Sequence, residues 1–97
     1  MEYIEKETAQ EGIEKVCNGM ARLLSEKNKR YGNSALEPLR VFSRADAADG
    51  IMVRLDDKLS RIKNSDKLRK NDISDLIGYL VLLCIAQGWT DFDDLID

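Results

Sequence analysis

The sequence has little of several residue types that carry chemistry or constrain the backbone: among its 97 residues there are no histidines, one proline and two cysteines. The lack of histidine removes the commonest general base of enzymes. The cysteines, Cys17 and Cys84, lie in apolar, helix-like segments. We therefore interpret them as buried thiols in a reducing cytosol rather than as a disulfide or part of a zinc site.

Long apolar runs and a basic excess are also lacking. The longest apolar run, residues 80–86, is far shorter than the roughly 20 residues of a membrane span. Glu2 and Glu5 stand where a signal peptide would carry basic residues. A net charge of −3 and a pI near 5.0 argue against broad nucleic-acid binding. We expect one soluble domain over residues 1–97, with no membrane association and a cytoplasmic location.

Helical periodicity is what the sequence does contain, and no strand pattern accompanies it. A first helix is predicted over residues 3–28, and it should stop before Tyr31, because Gly32 and Asn33 accept the left-handed conformation of a helix end. Its apolar stripe is Ile13, Val16, Cys17, Met20, Leu23 and Leu24. Ser34 and Glu37 have the spacing of a capping box, which predicts a second, short helix over residues 35–43.

Two further helices complete the prediction of a compact all-α bundle of about four helices. After a turn at 46–50, a third helix over residues 50–63 is indicated by apolar residues at 3-4-3 spacing, namely Met52, Leu55, Leu59 and Ile62. Asn71 can cap a fourth helix that runs to residue 85 and ends at Gly88. This helix is apolar nearly all round and should be the most buried. The acidic tail is expected to form one further turn, capped by Thr90.

Charged residues of the third helix form the first candidate site. Arg54, Asp57, Lys58 and Arg61 share one narrow face, because residues three, four and seven apart align on a helix. Such a face can bind an anionic ligand, or it can be a solvated surface with ion pairs along the helix.

The start of the fourth helix is the second candidate. Asp72, Asp75 and Tyr79 share a face, which suits either a ligand or simple stabilisation of the helix dipole by the two acids. Gly78 beside them is costly inside a buried helix, so it predicts close approach of another helix or of a ligand.

The segment KNKRYGNS, residues 27–34, is the third candidate. The cation Lys27, the aromatic Tyr31 and the hydroxyl of Ser34 lie where one helix ends and another begins. Free backbone N–H groups at a helix start, together with cations and a hydroxyl, favour phosphate, and the tyrosine ring can stack on a base. The alternative interpretation is a well-formed turn whose cations only favour the helix dipole.

In this order, the three segments resemble a family of small phage and bacterial helical proteins, the nucleotide modification-associated domain proteins. The family motifs K-N-x-x-Y-G-x-S, D-K-x-x-R and D-L-x-x-Y correspond here to KNKRYGNS, DKLSR (57–61) and DLIGY (75–79). The resemblance spans about residues 13–86. It implies a nucleotide or cyclic-nucleotide ligand, and its phage setting implies a protein of the host cytoplasm that sequesters a signal of host defence.

The family is also distantly similar to the MazG-like nucleotide pyrophosphohydrolases, which hold magnesium with paired acids. That similarity implies metal ligation by Asp57, Asp72 and Asp75 if the chain is a hydrolase. However, Asp56 and Asp57 are adjacent rather than spaced as a pair, and Asn71 stands where the family more often has an acid. We therefore favour binding without catalysis and without a cofactor.

Three functions stay open from the sequence: a nucleotide-binding protein, a magnesium-dependent hydrolase, and a protein-interaction or inhibitor module that presents its acidic tail, residues 91–97, to a basic partner. The ligand-binding set for the first is Lys27, Tyr31, Ser34, Arg54, Lys58, Arg61 and Tyr79. Because the fourth helix is hard to cover within 97 residues, we also expect a homodimer or a higher symmetric oligomer with this helix near the interface.

Overall fold

A computed structural model of the chain describes residues 6–32, 36 and 46–97, with side chains from residue 8 onward. The described residues form three α-helices and one short 3-10 turn, and they contain no strand. The elements are α1 (Lys6–Tyr31), α2 (Ala47–Asn64), α3 (Lys70–Ala86) and η1 (Asp93–Leu95). The prediction of an all-α fold is therefore confirmed for these residues. The predicted helix over 35–43 lies outside them except for residue 36, so the count of four is not confirmed.

The chain divides into two compact units, Met1–Gly32 and Asn33–Asp97. The first unit contains α1, and the second contains α2 and α3, which pack against each other. Among the described helices, none combines the length and the apolar character needed to cross a bilayer.

The end of α1 follows the predicted chemistry but comes later than predicted, at Tyr31. Gly32 has a φ of 66°, and its N–H donates to the carbonyl of Asn28 at 2.8 Å. Glycine adopts this left-handed conformation at little cost, which explains the stop. One sequence interpretation is wrong here: the Cys17 thiol is exposed rather than buried, and both it and the half-buried Cys84 are free thiols.

The start of α2 differs from the predicted turn at residues 46–50. Asp46 is the N-cap residue, with extended backbone, and its Oδ1 accepts a hydrogen bond of 2.8 Å from the backbone N–H of Asp49. This bond satisfies one of the orphan donors of the first helical turn. Gly50 is therefore an interior residue of α2, and the sequence misled because a glycine after Ala-Asp reads as a turn.

The buried face of α2 also differs from the predicted stripe. Met52 is 43% exposed and Leu59 is 50% exposed. The buried side chains are instead Ile51, Leu55 and Lys58, which have i, i+4, i+7 spacing. The face toward the core is thus rotated by about 50°, or half of one residue's turn, and Lys58 lies on it where Leu59 was expected.

The two ends of α3 are formed differently from each other. At the start, Asn71 is not the cap: the helix begins at Lys70, and the N-cap residue Arg69 makes no side-chain capping bond. At the end, Gly88 has a φ of 77°, and the N–H of Trp89 donates to the carbonyl of Cys84 at 2.8 Å. This is the Schellman pattern, and it confirms that Gly88 ends the helix.

Among the described helices α3 is the most buried, as predicted, because a smaller share of its residues is exposed than in α1 or α2, but one part of its apolar surface stays uncovered. Leu80, Val81 and Ile85 are 47%, 38% and 45% exposed in the chain, because α3 is apolar on more sides than α2 can cover. After Gly88 the predicted acidic turn is present as η1. The backbone N–H of Asp93, the first residue of η1, donates to Oδ1 of Asp91 at 2.9 Å. The capping side chain of η1 is therefore that of Asp91 and not that of Thr90.

Candidate functional site

A buried ion cluster joins α2 to α3. The Lys58 ammonium lies 3.3 Å from Oδ1 of Asp72 and 3.1 Å from Oδ2 of Asp75. The side chains of Lys58 and Asp72 are only 9% and 11% exposed, and that of Asp75 is 29% exposed. We call these three residues the Lys58 cluster. It brings together one residue of the predicted α2 site and two of the predicted α3 site.

Helix geometry explains why the two acids meet one cation. Asp72 and Asp75 are three residues apart, so their side chains emerge on the same face of α3. Lys58 projects from the buried face of α2, and its long apolar stem can pass between the helices before the ammonium reaches the acids. Gly78, the next residue along this face, is buried. The close approach of another helix or of a ligand at Gly78 stays a prediction.

The cluster holds Lys58 in its charged form. The pKa of Lys58 is raised above the ordinary value of 10.5, chiefly by the hydrogen bond to Asp75, and also by the hydrogen bond to Asp72 and by the charges of both acids. Burial acts in the opposite direction because it penalises the charged form. The attraction to the two carboxylates outweighs that penalty, so the ammonium is a fixed structural cation.

This arrangement bears directly on the predicted metal ligands. The carboxylates of Asp72 and Asp75 converge, but they converge on an ammonium. Asp57 is exposed on α2, and the described part of the chain contains no group of three or more acidic or cysteine side chains placed to hold a metal ion. A magnesium ion at Asp72 and Asp75 would have to displace Lys58, because a dication and an ammonium compete for the same carboxylate oxygens.

Arg54 and Arg61 flank the buried face of α2 on one side. At 100° per residue, they project about 40° and 60° from the direction of Lys58. Both are exposed, and neither forms an ion pair with a described carboxylate, Asp57 included. Their guanidinium groups therefore face solvent at the rim of the α2–α3 pair, while Lys58 between them is already bound.

The remaining predicted ligand-binding residues lie on other elements. Lys27 and Tyr31 are in the last turns of α1, where the Tyr31 ring is 72% exposed. Tyr79 is half-buried on α3. Ser34 lies outside the described residues, and the predicted meeting of KNKRYGNS with the α2 face stays a prediction.

The sequence did not predict the pairing inside the Lys58 cluster. The signal was present: Lys58 is three residues after Leu55 and four before Ile62, so it continues an apolar stripe, and the next helix opens with two acids on one face. A cation on a buried stripe needs counter-ions. When Lys58 is considered only with the charged residues of its own helix, the need for counter-ions from another helix is not visible.

Comparison with known proteins gives no family to which this geometry can be assigned. No family model, curated protein sequence or solved structure matches the chain. The resemblance to nucleotide modification-associated domain proteins therefore stays a prediction.

Proposed function

We propose that the chain binds a phosphate-bearing nucleotide or cyclic nucleotide, and that Arg54 and Arg61 supply the anion contacts. The observation that supports this is the pair of exposed guanidinium groups, which have no carboxylate partner among the described residues. Arginine donates in a planar fork that matches two oxygens of one phosphate. Two such forks on one helix face form an anion-binding surface.

The spacing of the two arginines favours a ligand with more than one phosphate. Seven residues of α-helix separate Arg54 from Arg61, which is about 10 Å along the axis. That separation suits a dinucleotide or a nucleoside polyphosphate, which can offer a separate phosphate to each guanidinium group. In this proposal Lys58 contributes rigidity rather than a ligand contact.

Removing one arginine tests the proposal. Arg61→Ala should weaken nucleotide binding by about 1.5–3 kcal/mol, the range for hydrogen bonds to a charged group, or about 10- to 150-fold in Kd. The measurement is titration calorimetry with a panel of linear and cyclic nucleotides. The matched control is Lys63→Ala, which removes an exposed cation of the same helix on a different face. Equal Kd values for both variants and the parent would refute the assignment of Arg61.

Recovering the ligand after incubation separates binding from hydrolysis. Unchanged nucleotide retained by the protein agrees with the proposed role of a phage-type protein, which is to sequester a signal that host defence uses. Release of pyrophosphate and a monophosphate that requires magnesium, and that is lost in Asp75→Asn, would replace the proposal with the hydrolase.

A second candidate function rests on the tail. Four large apolar side chains are exposed there: Trp89 58%, Phe92 50%, Leu95 71% and Ile96 75%. They alternate with the acids of residues 91–97. Exposed apolar groups rimmed by one charge are typical of a protein-interaction surface, so this candidate is an interaction module with a basic protein partner.

The tryptophan in the tail makes that candidate measurable. If the tail docks on a basic, apolar partner, an arginine- and leucine-rich helical peptide should shift the fluorescence of Trp89. Phe92→Ala should weaken binding by about 1–2 kcal/mol, as expected for an aromatic anchor. Leu68→Ala is the control, since Leu68 is 73% exposed and lies outside the tail. An unchanged emission spectrum at millimolar peptide would reject a tail-docking function.

A further inference from the structure

The helices α2 and α3 form a hairpin whose two ends carry opposite charge. They pack against each other and are joined by a short connection, residues 65–69, so they run antiparallel. The loop end, residues 61–70, contains one acid, Asp66, and five cations: Arg61, Lys63, Lys67, Arg69 and Lys70. At the opposite end, residues 46–53 and 85–97 contain no cation and six acids: Asp46, Asp49, Asp91, Asp93, Asp94 and Asp97. The hairpin is therefore basic at one end and acidic at the other.

Three cations of the loop end are available to a partner, and we call them the loop surface: Lys67, Arg69 and Lys70. All three side chains are exposed, and none of them forms an ion pair with a described carboxylate. The next two acids in the chain, Asp72 and Asp75, are engaged by Lys58 instead. Asp66 is the one acid among residues 61–70, so the loop surface keeps a positive excess.

The tail, residues 89–97, begins at the opposite end of the hairpin. Its start is fixed there, because the N–H of Trp89 donates to the carbonyl of Cys84 near the end of α3. Every residue of the tail is exposed, and in the described part of the chain η1 packs against neither α2 nor α3. The 17 residues of α3 separate this start from the loop surface by about 25 Å. The tail therefore does not reach the loop surface of its own hairpin.

The tail and the loop surface are nevertheless complementary in chemistry. The tail interleaves its carboxylates with four exposed apolar side chains, which are Trp89, Phe92, Leu95 and Ile96. Carboxylates pair with the ammonium and guanidinium groups of the loop surface. The rings of Trp89 and Phe92 fit against a guanidinium group or the apolar stem of a lysine. The loop surface thus offers contacts to both kinds of tail side chain.

We propose that the tail of one copy of the chain docks on the loop surface of a second copy, and that the contact is reciprocal. The proposal rests on the tail-docking candidate function and names its partner. Two hairpins side by side in opposite directions place each tail on the other's loop surface, as a two-fold dimer requires. Hairpins in the same direction would bring like charges together, which repels them. Between the two contacts lie the exposed apolar side chains of α3: Leu80, Val81 and Ile85.

Reversing the charge of either surface tests the pairing. Lys67→Glu with Lys70→Glu makes the loop surface acidic. Asp93→Lys with Asp94→Lys and Asp97→Lys makes the tail basic and keeps the carboxylate that caps η1. Each variant should raise the dimer Kd by about tenfold or more, because both contacts of the dimer then lose their ion pairs and repel. Sedimentation velocity over a concentration series gives the Kd values, and far-UV circular dichroism checks that both variants stay helical.

Mixing the two variants separates specific pairing from damage to the fold. An equimolar mixture sets the acidic loop surface against the basic tail and the unchanged loop surface against the unchanged tail, so the Kd should return to within about threefold of the parent value. The control, Asp56→Lys with Asp57→Lys at exposed positions of α2, should associate like the parent. A parent that is monomeric at about 100 μM, variants that associate as the parent does, a mixture that does not recover, or growth beyond a dimer would overturn the proposal.

A peptide titration tells failure of this pairing from failure of the tail-docking function. The variant with the acidic loop surface has an unchanged tail, so its Trp89 emission should shift when the arginine- and leucine-rich peptide is added. A shift in this variant together with a monomeric parent would overturn the self-pairing and leave the tail-docking function standing. No shift would reject the tail-docking function and the self-pairing with it.

Discussion

Replacing Lys58 with methionine should lower the free energy of unfolding by about 2–4 kcal/mol, at or somewhat below the range for breaking a buried ion pair. Methionine matches the length of the lysine stem but removes the ammonium that lies between the carboxylates of Asp72 and Asp75. Asp75 is 29% exposed, so water relieves part of the repulsion and the upper limit is reduced. Urea denaturation followed by circular dichroism measures the change.

The controls separate the ionic cluster from the loss of a lysine as such. Lys63→Met alters an exposed lysine of the same helix and should change stability by less than about 0.5 kcal/mol. Combining Lys58→Met with Asp72→Asn and Asp75→Asn should recover much of the loss, because a neutral group of similar volume is often tolerated where a whole ion cluster was. If Lys58→Met is as stable as Lys63→Met, the cluster does not stabilise the fold.

The same cluster sets the direction of the alkaline pH dependence. The pKa of Lys58 is raised in the folded protein, so its contribution to stability is fully present below the ordinary lysine pKa of 10.5. That contribution is lost as the pH rises through the higher folded value. The stability difference between the parent and Lys58→Met should therefore be constant at neutral pH and shrink above pH 10.5.

Replacing Ile51 with alanine should destabilise the protein by about 2–4 kcal/mol, within the range for isoleucine deletions in packed cores. Ile51 is 1% exposed and is the largest fully buried side chain among the described residues. Its loss removes buried apolar area and leaves a cavity, since neighbouring groups relax only partly. Thermal unfolding should show a Tm lower by roughly 10 °C or more.

Two further variants calibrate this result. Ile51→Val removes one methylene and should cost about 0.5–1.5 kcal/mol. Val53→Ala, at a position that is 60% exposed, should have little effect. If Ile51→Ala proves as mild as Val53→Ala, the side chain is not part of a packed core in solution.

Local chemistry made the helices predictable. The glycines at positions 32 and 88 ended α1 and α3 as expected, because both have the left-handed backbone that glycine adopts at little cost. Helix starts were harder. Asp46 caps α2 four residues before the predicted start. Aspartate is favoured both at helix N-caps and in turns, so the sequence alone does not show which of the two it forms.

The candidate site was predictable only in part, because its central interaction is between helices. Periodicity placed Arg54 and Arg61 on one face of α2 and Asp72 and Asp75 on one face of α3. It could not show that Lys58 turns inward, since that depends on acids fourteen and seventeen residues later in the chain. The same limit applies to α3: its apolar composition correctly predicted the most buried described helix, but composition alone could not show that Leu80, Val81 and Ile85 stay exposed.

The Lys58 cluster also constrains how this sequence can drift. A change at Lys58 leaves two acids opposed, while the loss of either acid weakens the neutralisation of a buried ammonium. An all-neutral set would be tolerated, but it is separated from the present one by destabilised intermediates. The three positions are therefore expected to be epistatic. Descendants should keep the lysine and both acids together, or lose all three in a protein that is stable enough to tolerate the single and double substitutions.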